Sequence, residues 1–110
     1  MTCEAWSVVV VPFPFTESPE VKFRPAVVLS TRTFNRAGLS ILAMVTSARH
    51  SRMEGDIAVK GGTAGLSRDS LIRMKLFTLD NRLIKTKLGD LPGSIGKQLG
   101  SQLQAILRMM

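Results

Sequence analysis

Three short apolar runs, Val8–Val11, Ala26–Leu29 and Ile41–Val45, constrain this chain more than any other feature. Each is four or five residues long, far short of a membrane span and too short for a buried helix. The first is four consecutive valines, whose branched Cβ atoms lose freedom in a helix but pack well on a pleated surface. All three read as strands. Pro12 and Pro14 follow the first run without an amide to donate, so that strand ends, bulges or lies at an edge there.

The segments between these runs are turn-formers. Thr16 to Lys22 is a polar loop around Pro19, and the stretch ending at Ala37-Gly38 has room for one helical turn. Thr46 to Glu54 is polar and basic and reads as loop. Ile57 and Val59 alternate with Asp56, Ala58 and Lys60, a short amphipathic strand closed by Gly61-Gly62. Leu71–Leu76 and Leu83–Leu88 are two further strands separated by the turn signal Asp80-Asn81, each with one buried and one basic face. After Pro92-Gly93, Ser94 is the expected N-cap of a helix whose Ile95, Leu99, Leu103, Ile106 and Leu107 share one face. Gly96 and Gly100 each weaken that helix by about 1 kcal/mol relative to Ala, a cost that close docking on a sheet offsets. The whole predicts one domain over residues 1–110, a small, curled, mostly antiparallel β-barrel with a C-terminal α-helix.

Charge narrows the partners. Fifteen Lys and Arg against eight Asp and Glu leave a net +7, which favours a polyanion: nucleic acid first, an acidic protein segment or anionic membrane second. One cysteine, Cys3, and one histidine, His50, exclude an internal disulfide and a one-chain Cys/His zinc site, and no cofactor is expected. No stretch of 18 apolar residues and no signal-peptide pattern is present, so the cytoplasm is the expected location, with no membrane partner. Five Phe, one Trp and no Tyr are few rings for an aromatic platform that stacks single strands.

Three polar clusters border the apolar runs. Lys22-Phe23-Arg24-Pro25 sets an arginine beside a rigid proline at a strand entrance, where its planar fork can meet a phosphate; the plain alternative is a surface Arg at a strand end. Thr46-Ser47 places two hydroxyls at the exit of the third run, able to contact phosphate or orient a ribose 2′-OH, although Thr-Ser is also ordinary turn chemistry. His50, three residues on, is the only imidazole, the side-chain type suited to proton exchange near neutrality. Arg73 and Lys75 are same-face neighbours on a strand and suit an anion, or form a solvated basic face.

Taken together, residues 8–16 (Val-Val-Val-Val-Pro-Phe-Pro-Phe-Thr), 24–30 (Arg-Pro-Ala-Val-Val-Leu-Ser), Thr46-Ser47, 76–80 (Leu-Phe-Thr-Leu-Asp) and 88–91 (Leu-Gly-Asp-Leu) closely resemble the MazF/PemK toxins of type II toxin–antitoxin systems. The resemblance implies an SH3-like barrel, usually a homodimer, acting as a metal-independent endoribonuclease on single-stranded RNA and neutralised by an acidic antitoxin. Carried over by motif, Arg24 and Thr46 are the catalytic pair; Ser47, Lys22, Arg73, Lys75, His50 and Glu17 are substrate-binding candidates. Some members have Arg-x-Asp where this chain has Arg73-Met74-Lys75, and a protonated lysine does not readily accept a proton. The proton acceptor is therefore open among Glu17, Glu20, His50 and water. An Asp that often precedes the first strand's valines is here Ser7, a position that looks structural. Two other readings compete: a non-enzymatic gyrase poison like the related CcdB toxins, whose Trp-containing tail is missing here, and a silent member that only binds RNA or antitoxin.

Overall fold

The valine run becomes a strand without polar alternation because both of its faces are buried. In the computed structural model, which describes residues 1–13 and 19–108, strand β1 (Ser7–Pro12) pairs antiparallel with β2 (Phe23–Val28). Val8, with Val27 and Ala43, packs on one side of the sheet; Val9 and Val11, with Ala26, Val28 and Leu42, pack on the other. The first side is covered by the C-terminal helix through Leu99 and Leu103, the second by Cys3 and Ile84. Fully burying each such aliphatic side chain contributes about 1.5–3 kcal/mol.

The remaining elements are α1 (Arg32–Asn35), β3 (Leu39–Ser47), β4 (Ile57–Val59), β5 (Ser70–Asp80), a 3-10 turn (Asn81–Leu83), β6 (Thr86–Asp90) and α2 (Gly93–Leu107). They form one six-stranded antiparallel sheet in the order β4-β5-β3-β2-β1-β6. The sheet curls so that the turn after β4 meets β6, and the contact is backbone on backbone. A Cβ on Gly89 would lie 2.7 Å from the carbonyl carbon of Ala64, and one on Gly65 would lie 2.3 Å from the carbonyl oxygen of Leu88. The expected mostly β architecture, a small curled antiparallel barrel with a C-terminal helix, is observed, with the sheet closing only part-way into a barrel.

Several boundaries differ from the sequence reading. Strand β3 runs on through Thr46 and Ser47, because β5 continues to pair with it as far as Ser47↔Ser70. Strand β5 is bulged: its partner on β3 steps from Ala43 to Met44 while β5 steps from Leu76 to Arg73, leaving Met74 and Lys75 unmatched across the ladder. The strand expected over Leu83–Leu88 starts only at Thr86, since the Asp80 carboxylate accepts from the Arg82 amide and starts a 3-10 turn first. Helix α2 begins at Gly93, with the Pro92 carbonyl accepting from Ile95 and Gly96; Ser94 lies inside the first turn and caps nothing. Ile106 and Leu107 stay about half exposed at the far end of the helix.

The two helical glycines are not equivalent. Trp6, held at φ +73° by its amide donating to the Val28 carbonyl and its own carbonyl accepting from Leu91, lays its ring against α2. A Cβ on Gly96 would sit 2.9 Å from Trp6 Cδ1, whereas one on Gly100 would make an ordinary 3.9 Å contact with Cζ2. Gly96→Ala is expected to cost about 1–2 kcal/mol, and Gly100→Ala to gain up to about 1 kcal/mol from helix propensity. Urea unfolding of the two variants checks the opposite signs.

Candidate active site

A proline opens the site. The Leu29 amide donates to the Ile41 carbonyl of β3, so the strand's alternation points the backbone nitrogen at position 25 the same way. Pro25 has no hydrogen to give, and the β2–β3 ladder stops at Ala26↔Met44. Strand β3, still paired with β5 on its other side, continues without β2. The gap left between them is a cleft of about 310 Å³ lined by Arg24 and Pro25 from β2, Val45, Thr46 and Ser47 from β3, and Arg68 from the loop before β5. A neighbouring hollow of about 420 Å³ shares Arg24, Ser47 and Arg68 and adds Arg49 and His50. Among the described residues, no acidic side chain lines either space.

The two residues singled out for catalysis thus face one cleft. Arg24 carries its guanidinium 5.3 Å from the Phe13 ring centroid, and its Nε is buried with no hydrogen-bond partner among the described residues. An unpaired buried donor costs about 1–3 kcal/mol, a cost that an anion in the cleft would relieve. Thr46 is nearly buried, with Oγ1 2.9 Å from His50 Nδ1. The turn that returns His50 to Thr46 is tied by the His50 amide to the Ser47 carbonyl and the Arg49 amide to Ser47 Oγ, and its Ala48 amide donates to the Asp69 carbonyl.

The other candidates lie apart. Lys22 is exposed just before β2 and does not line the cleft, and Glu17 lies outside the described residues. Arg73 and Lys75 border a separate cavity of about 360 Å³ with Met53 and Glu54. Arg73 grips Asp56 in a fork, Nε to Oδ1 at 3.2 Å and Nη2 to Oδ2 at 2.8 Å, and also donates to the Ser51 carbonyl. With the Met53 amide donating to Asp56 Oδ2, this pair braces the loop between β3 and β4. Hydrogen bonds from Arg73 hold the fully buried Asp56 carboxyl below its ordinary range. Its folded-state value being lowered, the pair's stabilisation is complete above the unfolded value near pH 3.9 and is lost as pH falls through the folded one. Asp56→Asn is expected to cost about 2–3 kcal/mol at pH 7 and less at pH 3, read by urea unfolding at both values.

Sequence reasoning missed Arg49 and Arg68. Each reads as a lone cation in a polar loop. Only the pairing of Ser47 with Ser70, 23 positions apart, brings their two loops to the same edge.

Residues 4–107 match the family of PemK-like, MazF-like toxins of type II toxin–antitoxin systems. The chain belongs to this family. Among solved structures, MazF in a MazE–MazF crystal from Deinococcus radiodurans is similar over 100% of both chains, with a TM-score of 0.81 at 23% identity. A second Deinococcus radiodurans MazF crystal gives 0.79 at 22% identity over 99% of each chain. A mycobacterial endoribonuclease crystallised with its cognate antitoxin gives 0.78 at 14% identity, covering 98% of this chain and 97% of that one. At these identities the likeness speaks to the MazF-like fold. A comparison with curated proteins returns no match. Among the described residues of this toxin, no helix is long and apolar enough to cross a membrane.

Proposed function

We propose that this toxin is a metal-independent endoribonuclease that cuts single-stranded RNA by driving a ribose 2′-OH onto the adjacent phosphorus. The observation that carries the reading is the unpaired, buried Arg24 Nε in a cleft whose described lining holds no acid. RNA brings its own nucleophile, so the protein has to align the hydroxyl and stabilise charge on the phosphoryl oxygens. Arg24 serves the second need with its planar fork, and Thr46 the first. Ser47, His50, Arg49 and Arg68 border the same space and suit the reacting phosphate and its neighbour. Lys22 and Lys75 lie outside the cleft, so any contact they make is with phosphates farther along the strand; Arg73, engaged with Asp56, contributes mainly by bracing its loop.

The family relationship and the net +7 charge support a cognate acidic antitoxin that covers the cleft. A homodimer in the cytoplasm, each copy a single toxin domain, completes the reading. Incubating the protein with a defined long transcript in EDTA tests the activity. Cuts at a restricted set of sites, leaving 2′,3′-cyclic phosphate and 5′-hydroxyl ends and blocked by 2′-deoxy substitution at the cut nucleotide, are expected. Intact RNA overturns the proposal, and intact RNA with gyrase inhibition replaces it by the CcdB-like one.

A further inference from the structure

With Lys75 standing where some family members have an Asp, the proposed reaction has no assigned group to receive the ribose proton. Thr46 cannot keep it, because a hydroxyl is a weak base unless a stronger one takes its own proton. Its Oγ1 meets the imidazole of His50 at 2.9 Å, within the reach required of a base and its partner. Among the described residues, the carboxylates near this turn carry hydrogen bonds of their own: Asp56 from Arg73 and the Met53 amide, Asp69 at Oδ1 from the Gly61 amide. Glu20 is exposed on the loop before β2 and lines neither hollow at the cleft.

We infer that His50 is the proton-holding partner of the reaction, acting through the Thr46 hydroxyl; this rests on the ribonuclease reading above. The step calls for the imidazole form with hydrogen on Nε2, so that the Nδ1 lone pair accepts from Thr46 Oγ1. As the 2′-oxygen bonds to phosphorus, its proton passes to Thr46 Oγ1, and the proton Thr46 already carried passes to His50 Nδ1. The bond from phosphorus to O5′ breaks, and the departing O5′ takes a proton from water. The imidazolium later returns its proton to solvent, so neither residue is consumed. Among the described residues, the charged groups facing His50 are Arg24, Arg49 and Arg68 on the cleft side and Arg52, Lys60 and Asp69 on the other. The phosphates of bound RNA supply the negative charge that an imidazolium in this mostly cationic setting requires.

The test uses His50→Gln and His50→Ala in the full chain against a mapped cleavage site. His50 is exposed on a turn, and glutamine can keep a hydrogen bond to Thr46, so H50Q separates a structural role from a proton-accepting one. Expected is a kcat lowered at least ~100-fold in both variants with KM unchanged, loss of one limb of the pH–rate profile, and recovery of H50A by added imidazole. Imidazole should not raise the residual rate of Arg24→Met. Wild-type cleavage with undiminished H50Q overturns this inference alone, as does H50A that imidazole fails to revive. A wild-type chain that leaves RNA intact overturns the ribonuclease reading and this inference together.

Discussion

Arg24→Met should reduce RNA cleavage by about 10²–10³-fold in kcat while leaving the protein at least as stable as wild type. The two halves of this expectation have the same origin. The Arg24 guanidinium is held beside the Phe13 ring with a buried Nε that finds no acceptor among the described residues, a desolvation cost of about 1–3 kcal/mol to the free protein. Methionine fills similar volume without a donor. The loss it brings is a cation–π contact at 5.3 Å, worth about 0.5–1 kcal/mol at such sites, which is the smaller quantity. A net gain of up to about 1 kcal/mol is therefore expected, the usual trade between a site made for a ligand and the stability of the empty fold. Arg24→Lys keeps the charge but not the two-pronged fork, so most of the rate loss should remain. Cleavage kinetics on a mapped transcript and urea unfolding measure both effects. Unfolding of R24M by several kcal/mol would make Arg24 a structural residue.

The largest loss of stability is expected from Gly65→Ala. Gly65 has φ +77°, where an L side chain costs about 1–2 kcal/mol, and its new Cβ would stand 2.3 Å from the Leu88 carbonyl oxygen and 2.8 Å from the carbonyl carbon. Backbone cannot rotate aside as a side chain can, so an overpacking cost of about 1–3 kcal/mol adds to the strain. About 3 kcal/mol or more in total is expected, together with reduced cleavage, because Gly65 and Leu88 also line the cleft that holds Arg24 and Thr46. Gly62→Ala is the control. Its φ of +89° imposes the same strain, but nothing lies within 4 Å of the added Cβ, so only the 1–2 kcal/mol should appear. Equal melting temperatures for the two variants would mean that the approach of the β4 turn to β6 does not hold the barrel together.

Much of the architecture was legible in local pattern. Four valines in a row read as a strand, and the spacing of Leu99 and Leu103 gave a helix to dock on the sheet; that both faces of the strand are covered is seen only in the fold. Gly96 signalled close docking, though not that a tryptophan in a left-handed conformation would fill the space. Alternation put Arg73 and Lys75 on one basic face but was silent about the bulge between Leu76 and Arg73, and about Asp56, 17 positions away, which takes the Arg73 guanidinium. Thr46 and Ser47 read as a loop because hydroxyls favour turns. Their place in β3 comes from the pairing with β5.

Residue types and their local spacing were enough for strands, a terminal helix and a basic surface, while Arg24 and Thr46 were singled out by the resemblance to the toxin family and His50 as the only imidazole. Which of these meet was decided by the register of β3 on β5 and by the missing amide of Pro25, which ends one ladder while the other runs on. Such long-range pairings leave little trace in sequence, because each hydrogen bond joins backbone groups that every residue but proline carries alike. Chemistry is written residue by residue; the distance from Thr46 to His50 and the company Arg24 keeps are properties of the folded sheet.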